Sequence, residues 1–196
     1  MKKIGLTGNI ASGKSTASRR LAQLGADIID ADVISRQLTQ PGEQTWLEIK
    51  KGFGDAYFRP DGTLDRKALG SFVFQNEAAL KQLNAISHQA IRQVIRERLA
   101  ASTAPVAVVD AALLIEGPLK NMVDEIWLVV APDELRCRRI MARDGLTEQQ
   151  SKERIASQLS QEEKARYAQE ILVNDGSEAA FLAQVDRCYA KIMAKE

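Results

Sequence analysis

Cysteine is scarce in this sequence, and what there is offers neither a disulfide framework nor a thiolate metal site. Cys137 and Cys188 are the only two, far apart and without CxxC or metal-ligand spacing. Both are expected as reduced packing residues in a cytoplasmic protein. Charge of one sign is also lacking: 27 basic and 26 acidic residues leave a net +1. No global field then draws the chain to nucleic acid or anionic membranes, and any bound anion must be held by a local site. No run approaches the roughly 20 apolar residues that span a bilayer. The start Met-Lys-Lys-Ile-Gly-Leu-Thr-Gly shares only its lysines with a signal peptide, because its apolar run is too short. Repeats, low-complexity tracts and flexible linkers are missing as well. The expectation is a cytoplasmic protein with no nucleic-acid or membrane partner and no obligate protein partner.

A chain of 196 residues has room for one α/β domain with a small inserted lobe. Short runs rich in Ile, Val and Leu, each followed by a turn or helix signal, predict strands at Lys3–Thr7, Asp27–Ile29, Val106–Asp110, Glu125–Val130 and Ile171–Val173. Helical patterns alternate with them. That pattern predicts an α/β fold, a doubly wound parallel five-stranded sheet with a helical insertion. The core is expected at about 1–34 and 105–196. Residues from about 35 to 104 contain no convincing core strand, and their helical patterns are separated by Pro41-Gly42, Gly54 and Arg59-Pro60-Asp61-Gly62. Leu80, Leu83, Ile86, Ile91, Val94 and Leu99 form one buried stripe there. Pro132-Asp133-Glu134 starts a helix with proline preset for the first turn. Thr147-Glu148-Gln149-Gln150 has capping-box spacing and opens another.

Gly8-Asn9-Ile10-Ala11-Ser12-Gly13-Lys14-Ser15 fits GxxxxGK[ST] between a predicted strand and a helix carrying Ala17, Leu21 and Leu24 on one face. Backbone N–H groups that turn inward around phosphate oxygens need unusual φ/ψ and close approach, which Gly8 and Gly13 supply. The helix N-terminus adds its dipole. Lys14 is placed to reach the β- and γ-phosphates of ATP, the Ser15 hydroxyl to ligate Mg²⁺, and Ser12 and Thr16 to touch phosphate. Ala11 stands where many such loops have glycine, so an ordinary backbone conformation is expected there.

A phosphate loop alone does not separate a kinase from a switch or a transport ATPase. The second strand ends in Asp30-Ala31-Asp32, at the carboxyl edge where doubly wound folds bind ligands. An acid there can accept the proton of an acceptor hydroxyl, and Asp32 is the candidate base. Both aspartates also have the placement of helix caps. Asp110 ends the apolar run 106–109 and is a candidate to hold Mg²⁺ through water.

With these motifs the chain resembles the dephospho-CoA kinases, which phosphorylate the ribose 3′-hydroxyl of dephospho-CoA using ATP. The resemblance rests on the phosphate loop from Gly8 to Thr16, Asp30 and Asp32 with Arg36, Leu64-Asp65-Arg66 and Leu69-Gly70. It continues through Leu83 to His88, Leu113-Leu114-Ile115-Glu116, Arg139 with Arg143, Arg154 with Gln158, and Asn174-Asp175-Gly176. It implies that Asp32 is the catalytic base and that the inserted helices form the lobe closing over the acceptor. Asp30, Arg36, His88 and Glu116 are then candidate acceptor contacts. Arg139 and Arg143, four apart on one helix face, join Arg154 on a mobile lid at about 136–160 facing the triphosphate. Asn174 and Gly176 are placed beside adenine. The family commonly has His-Pro where this chain has His88-Gln89, and proline where it has Ala112, which changes local backbone geometry more than chemistry.

Each assignment has a plainer alternative. An arginine-rich helix face is ordinarily solvated, Asn-Asp-Gly is a good turn, and His88 and Glu116 also suit structural roles. Two other functions compete: a P-loop kinase for a different small acceptor, and a nucleotide-dependent switch. The second would normally carry Asn-Lys-x-Asp if guanine-specific, and this sequence has none.

Overall fold

The computed structural model describes residues 1–194. In chain order the elements are β1 (Lys2–Gly8), α1 (Lys14–Gln23), β2 (Asp27–Asp30), α2 (Ala31–Leu38), α3 (Gln44–Phe53), α4 (Arg66–Phe74) and α5 (Glu77–Ala101). They continue as β3 (Val106–Asp110), β4 (Glu125–Val130), α6 (Asp133–Asp144), α7 (Glu148–Ala156), α8 (Gln161–Ala165), β5 (Glu170–Val173) and α9 (Glu178–Met193). The chain divides into two compact units, one formed by Met1–Ile29 with the chain from Ala101 onward, the other by Asp30–Ala100.

The first unit carries a parallel sheet in the order β2-β3-β1-β4-β5. Lys2 to Leu6 pair with Val106 to Asp110, and Ile4 to Gly8 with Glu125 to Val129. This register brings the carboxyl ends of β1 and β3 to neighbouring positions. Parallel strands need crossover connections, which helices supply between β1 and β2, β2 and β3, and β4 and β5, and residues 111–124 supply between β3 and β4. The central strands are apolar on both faces because both are covered. Ile4, Leu6, Val106, Val108, Trp127, Val129 and Leu172 pack with Ala17 and Leu21 of α1 and Phe181 and Val185 of α9. The two thiols are free and buried. No helix of the described residues is long and apolar enough to cross a membrane.

The second unit is helical, with a small core of Ile49, Leu69, Val73 and Ala79 against Phe53, Tyr57, Phe58, Leu64, Leu80, Leu83 and Ile86. The predicted stripe lies on a single 25-residue helix, α5, whose buried residues are Ala79, Ile95 and Leu99. Thr147 and Gln150 form the expected capping box at α7. Pro132 sits at the N-cap of α6, one residue before the first helical turn, with φ −53°.

Candidate active site

The phosphate loop runs from the end of β1 to the start of α1. Gly8 is needed for close approach, since a Cβ there would stand 2.6 Å from Ser12 Oγ and 2.8 Å from the Val129 carbonyl oxygen. Gly13 caps α1 at φ 104°, in the left-handed region. The first N–H groups of α1 have no intrahelical acceptor and point out of the helix start, as an anion site requires. Asn9 Oδ1 and Ser12 Oγ are buried without a hydrogen-bond partner among the described residues.

Ala11 overturns the expectation of an ordinary conformation: its φ is 61°. The loop must reverse at this point to turn successive N–H groups inward, and the geometry that glycine adopts freely is imposed here on alanine. For an L-residue with a Cβ this costs about 1–2 kcal/mol. The neighbouring peptides are correspondingly well held. Arg136 Nε donates to the Ile10 carbonyl at 3.0 Å, and Arg139 Nη1 to the Ala11 carbonyl at 3.0 Å. The Ile10 N–H donates to Gln158 Oε1 at 2.8 Å, and Asn9 Nδ2 to the Leu159 carbonyl at 2.7 Å. Asn174 Nδ2 donates to the Ser12 carbonyl at 2.8 Å, while Arg139 Nη2 reaches Asn174 Oδ1 at 3.3 Å. Hydrogen bonds to charged donors contribute about 1.5–3 kcal/mol each, enough to offset the strain at Ala11. Burial lowers the pKa of Arg136, and its ion pair with Asp133 opposes that shift.

Lys14 Nζ donates to Asp110 Oδ1, so the loop lysine and the buried acid at the end of β3 form an ion pair. Behind them, Thr7 Oγ1 and Lys164 Nζ both donate to the Ala112 carbonyl, each at 3.2 Å. Lys164, whose side chain is fully buried, also pairs with Glu116 at 2.9 Å. Glu116 is therefore committed to an ammonium group. The Leu-Leu-Ile-Glu segment is tied to α8 and to the strand leading into the phosphate loop.

The three expected lid arginines are not in one place. Arg139 is on the loop backbone, whereas Arg143 and Arg154 converge on Asp144. Arg143 binds both carboxylate oxygens at 2.8 and 2.9 Å, and Arg154 Nη1 reaches Oδ2 at 2.6 Å. The Arg143 hydrogen bond, more than any other contact, holds the Asp144 carboxyl below its ordinary pKa. Gly176 lies exposed in the turn before α9, with open space around its Cα.

In the second unit, Asp30 caps α2: one carboxylate oxygen accepts from Asp32 N at 2.8 Å and Val33 N at 2.9 Å. The capping role thus falls to Asp30, leaving the Asp32 side chain exposed in the first turn. Arg36 is exposed in the last turn of α2. Arg66 donates to the Ser35 carbonyl at 3.0 Å and to Thr39 Oγ1. Its pKa is lowered by burial and by Arg36, and raised by Asp32, so these three charges face a common region of the unit. His88 is exposed on α5, and partial desolvation, then Arg92, lowers its pKa.

This geometry suits a phosphate-handling enzyme, and comparison with known proteins decides which. The model of the dephospho-CoA kinase family matches residues 2–180. The chain belongs to the dephospho-CoA kinase family. It is 46% identical over 194 residues to a dephospho-CoA kinase of Geobacter sulfurreducens, covering 97% of this chain and 98% of that protein. A relative of the same name from Anaeromyxobacter dehalogenans is 42% identical, with 98% and 92% covered. Among solved structures, a dephospho-CoA kinase from Campylobacter jejuni superposes with a TM-score of 0.71 at 31% identity, covering 98% of each chain. A shikimate kinase from Acinetobacter baumannii, at 15% identity and a TM-score of 0.58, shares the fold. The protein is an α/β kinase of the P-loop type, a class that uses ATP, in the family that catalyses the last step of coenzyme A synthesis.

Asn9, Arg136, Asp144 and Lys164 join this candidate site through their contacts and were not singled out by sequence reasoning. Lys164 follows Glu162 and Glu163 and reads as a surface residue, whereas Arg136, between Leu135 and Cys137, reads as an isolated charge on an arginine-rich helix. Only the spacing of Arg136 and Arg139, one helical turn apart, hinted that both face the same way.

Proposed function

We propose that this kinase transfers the γ-phosphate of ATP to the ribose 3′-hydroxyl of dephospho-CoA, with Asp32 as general base. Asp32 accepts the hydroxyl proton while the oxygen attacks the γ-phosphorus, and the bond to the β-phosphate oxygen breaks to release ADP. Lys14 leaves its ion pair with Asp110 for the β- and γ-phosphates. Arg139, and Arg143 once it leaves Asp144, compensate the charge that builds on the transferred group. Gly8, Ala11, Ser12, Gly13, Ser15 and Thr16 line the triphosphate, with Asn174 and Gly176 toward the base. Arg36 and His88 are assigned to the acceptor, in the unit Asp30–Ala100, with Asp30 and Glu116 acting by position.

Mg²⁺ fits the donor set. No cluster of three His, Cys, Asp or Glu occurs among the described residues, and Mg²⁺ carried on substrate phosphates needs only one or two protein oxygens. The Ser15 hydroxyl and, through water, Asp110 would hold it, and when bound it would neutralise phosphate charge. The lid narrows to Arg143–Ser157, because Arg136, Arg139, Gln158 and Leu159 are bonded to the loop. Cytoplasmic surroundings suit the two free thiols.

The observation that carries the reading is the family match across residues 2–180. An ADP-release assay offering dephospho-CoA beside nucleosides, nucleoside monophosphates and shikimate tests it, with the product's phosphorus spectrum locating the new ester. Turnover with another acceptor and none with dephospho-CoA sinks it.

A further inference from the structure

Arg136 has no role in the reaction as proposed, yet it is among the largest fully buried side chains of the protein, at 1% exposure. All the hydrogen bonds of its guanidinium run to two places. Nε donates to the Ile10 carbonyl at 3.0 Å, and Nη1 to Asp133 Oδ1 at 2.7 Å. Nη2 is buried with no hydrogen-bond partner among the described residues. A side chain present only to fill space would not need a buried donor left over, and an apolar one of similar length would fill it at lower cost.

The Ile10 carbonyl belongs to the planar peptide that supplies the Ala11 nitrogen, so fixing its direction restricts φ at Ala11. The Ala11 carbonyl, held by Arg139 Nη1 at 3.0 Å, restricts ψ in the same way. The two arginines, one helical turn apart on α6, thus grip the peptides on either side of the one non-glycine residue with positive φ among the described residues. Gln158 Oε1, accepting the Ile10 N–H at 2.8 Å, holds the preceding peptide.

We infer that Arg136 is a positioning residue for nucleotide binding: it holds the Ile10–Ala11 peptide, as Arg139 holds the Ala11–Ser12 peptide, so that the loop keeps its phosphate-binding shape although position 11 carries a Cβ. Arg136 acts through the backbone of the loop. Without it, Ala11 relaxes toward negative φ, the N–H groups turn out of the cradle, and the loop must be reordered each time ATP binds. The inference rests on the phosphate loop being the ATP site.

Calorimetric titration of MgATP, melting temperature and the KM for dephospho-CoA, measured on the same preparations, test it. Arg136→Met is expected to weaken MgATP binding about tenfold and leave the KM for dephospho-CoA within about twofold. Adding Ala11→Gly to Arg136→Met is expected to restore more than half of the lost affinity, because glycine needs no help to hold positive φ. Arg136→Gln, which keeps one donor, should lie between parent and Arg136→Met and serves in its place if that variant does not fold. A lower melting temperature with unchanged MgATP affinity would reduce Arg136 to packing and overturn the inference. So would a double variant no tighter than Arg136→Met, or Arg136→Gln binding like the parent when Arg136→Met is insoluble. Failure of the parent itself to bind MgATP would strike the nucleotide reading instead.

Discussion

Asn174 closes over Gly13: its Nδ2 donates to the Ser12 carbonyl at 2.8 Å, and a Cβ on Gly13 would stand 2.1 Å from that same nitrogen. The residues are far apart in sequence, one following β5 and the other opening α1. Glycine is required at position 13 both for its φ of 104° and for this approach. Gly13→Ala is expected to weaken MgATP binding by about a hundredfold or more, since left-handed strain of about 1–2 kcal/mol adds to a clash that displaces Asn174. Asn174→Ala, which removes one loop brace and keeps the glycine, should cost about tenfold at most. Calorimetric titration separates the two.

The division of labour between Asp30 and Asp32 gives a second test. Asp32→Asn should lower kcat by roughly 10²–10⁴ with MgATP affinity nearly unchanged, as for loss of a general base. Asp30→Asn keeps the cap and should be nearly neutral in stability, whereas Asp30→Ala should cost about 1 kcal/mol. Near-normal kcat in Asp32→Asn would leave Asp32 an orienting group.

Glu116 and Lys164 form an asymmetric pair. Glu116→Ala strands a fully buried ammonium and is expected to destabilise by about 3–5 kcal/mol. Lys164→Met removes the buried charge and leaves a partly exposed carboxylate that water can reach, so about 1–2 kcal/mol is expected. Urea denaturation of both variants checks the order. Equal losses would mean that removing Glu116 does not strand the ammonium, and no loss in Glu116→Ala that Lys164 acts only through the Ala112 carbonyl.

His88 sets a pH dependence. Its folded pKa lies below the ordinary value of 6.5, so the folded state favours the neutral ring. The stability contribution is therefore present above about 6.5 and is lost as pH falls through 6.5 toward the folded value. Melting temperature measured from ~pH 8 down to ~pH 5 should fall more steeply in the parent than in His88→Gln. Parallel curves would remove His88 from the list of groups desolvated on folding.

What the sequence determined by itself is what neighbours along the chain determine. Strand runs bounded by turn signals located the sheet, with ends off by a residue or two because hydrogen-bond pairing extends β1, β2 and β5. The Gly-x-x-x-x-Gly-Lys-Ser spacing placed the loop between strand and helix, and local capping chemistry placed Thr147 at the start of α7. The helical insertion was legible through its periodicity, and Ile95, left out of the stripe as read, lies buried four residues from both Ile91 and Leu99. Tertiary structure alone decided the rest of the site. Arg136 and Lys164 are buried by partners more than 45 residues away, from Ile10 and Glu116 respectively, and a charged residue's burial leaves no mark on local pattern. It separated Arg139, which donates to the Ala11 carbonyl, from Arg143 and Arg154, which converge on Asp144. It also put Ala11 into a conformation that its own chemistry disfavours by about 1–2 kcal/mol. Backbone φ at such a position is set by the hydrogen bonds that surround it, and those come from α6 and from the segment before α8.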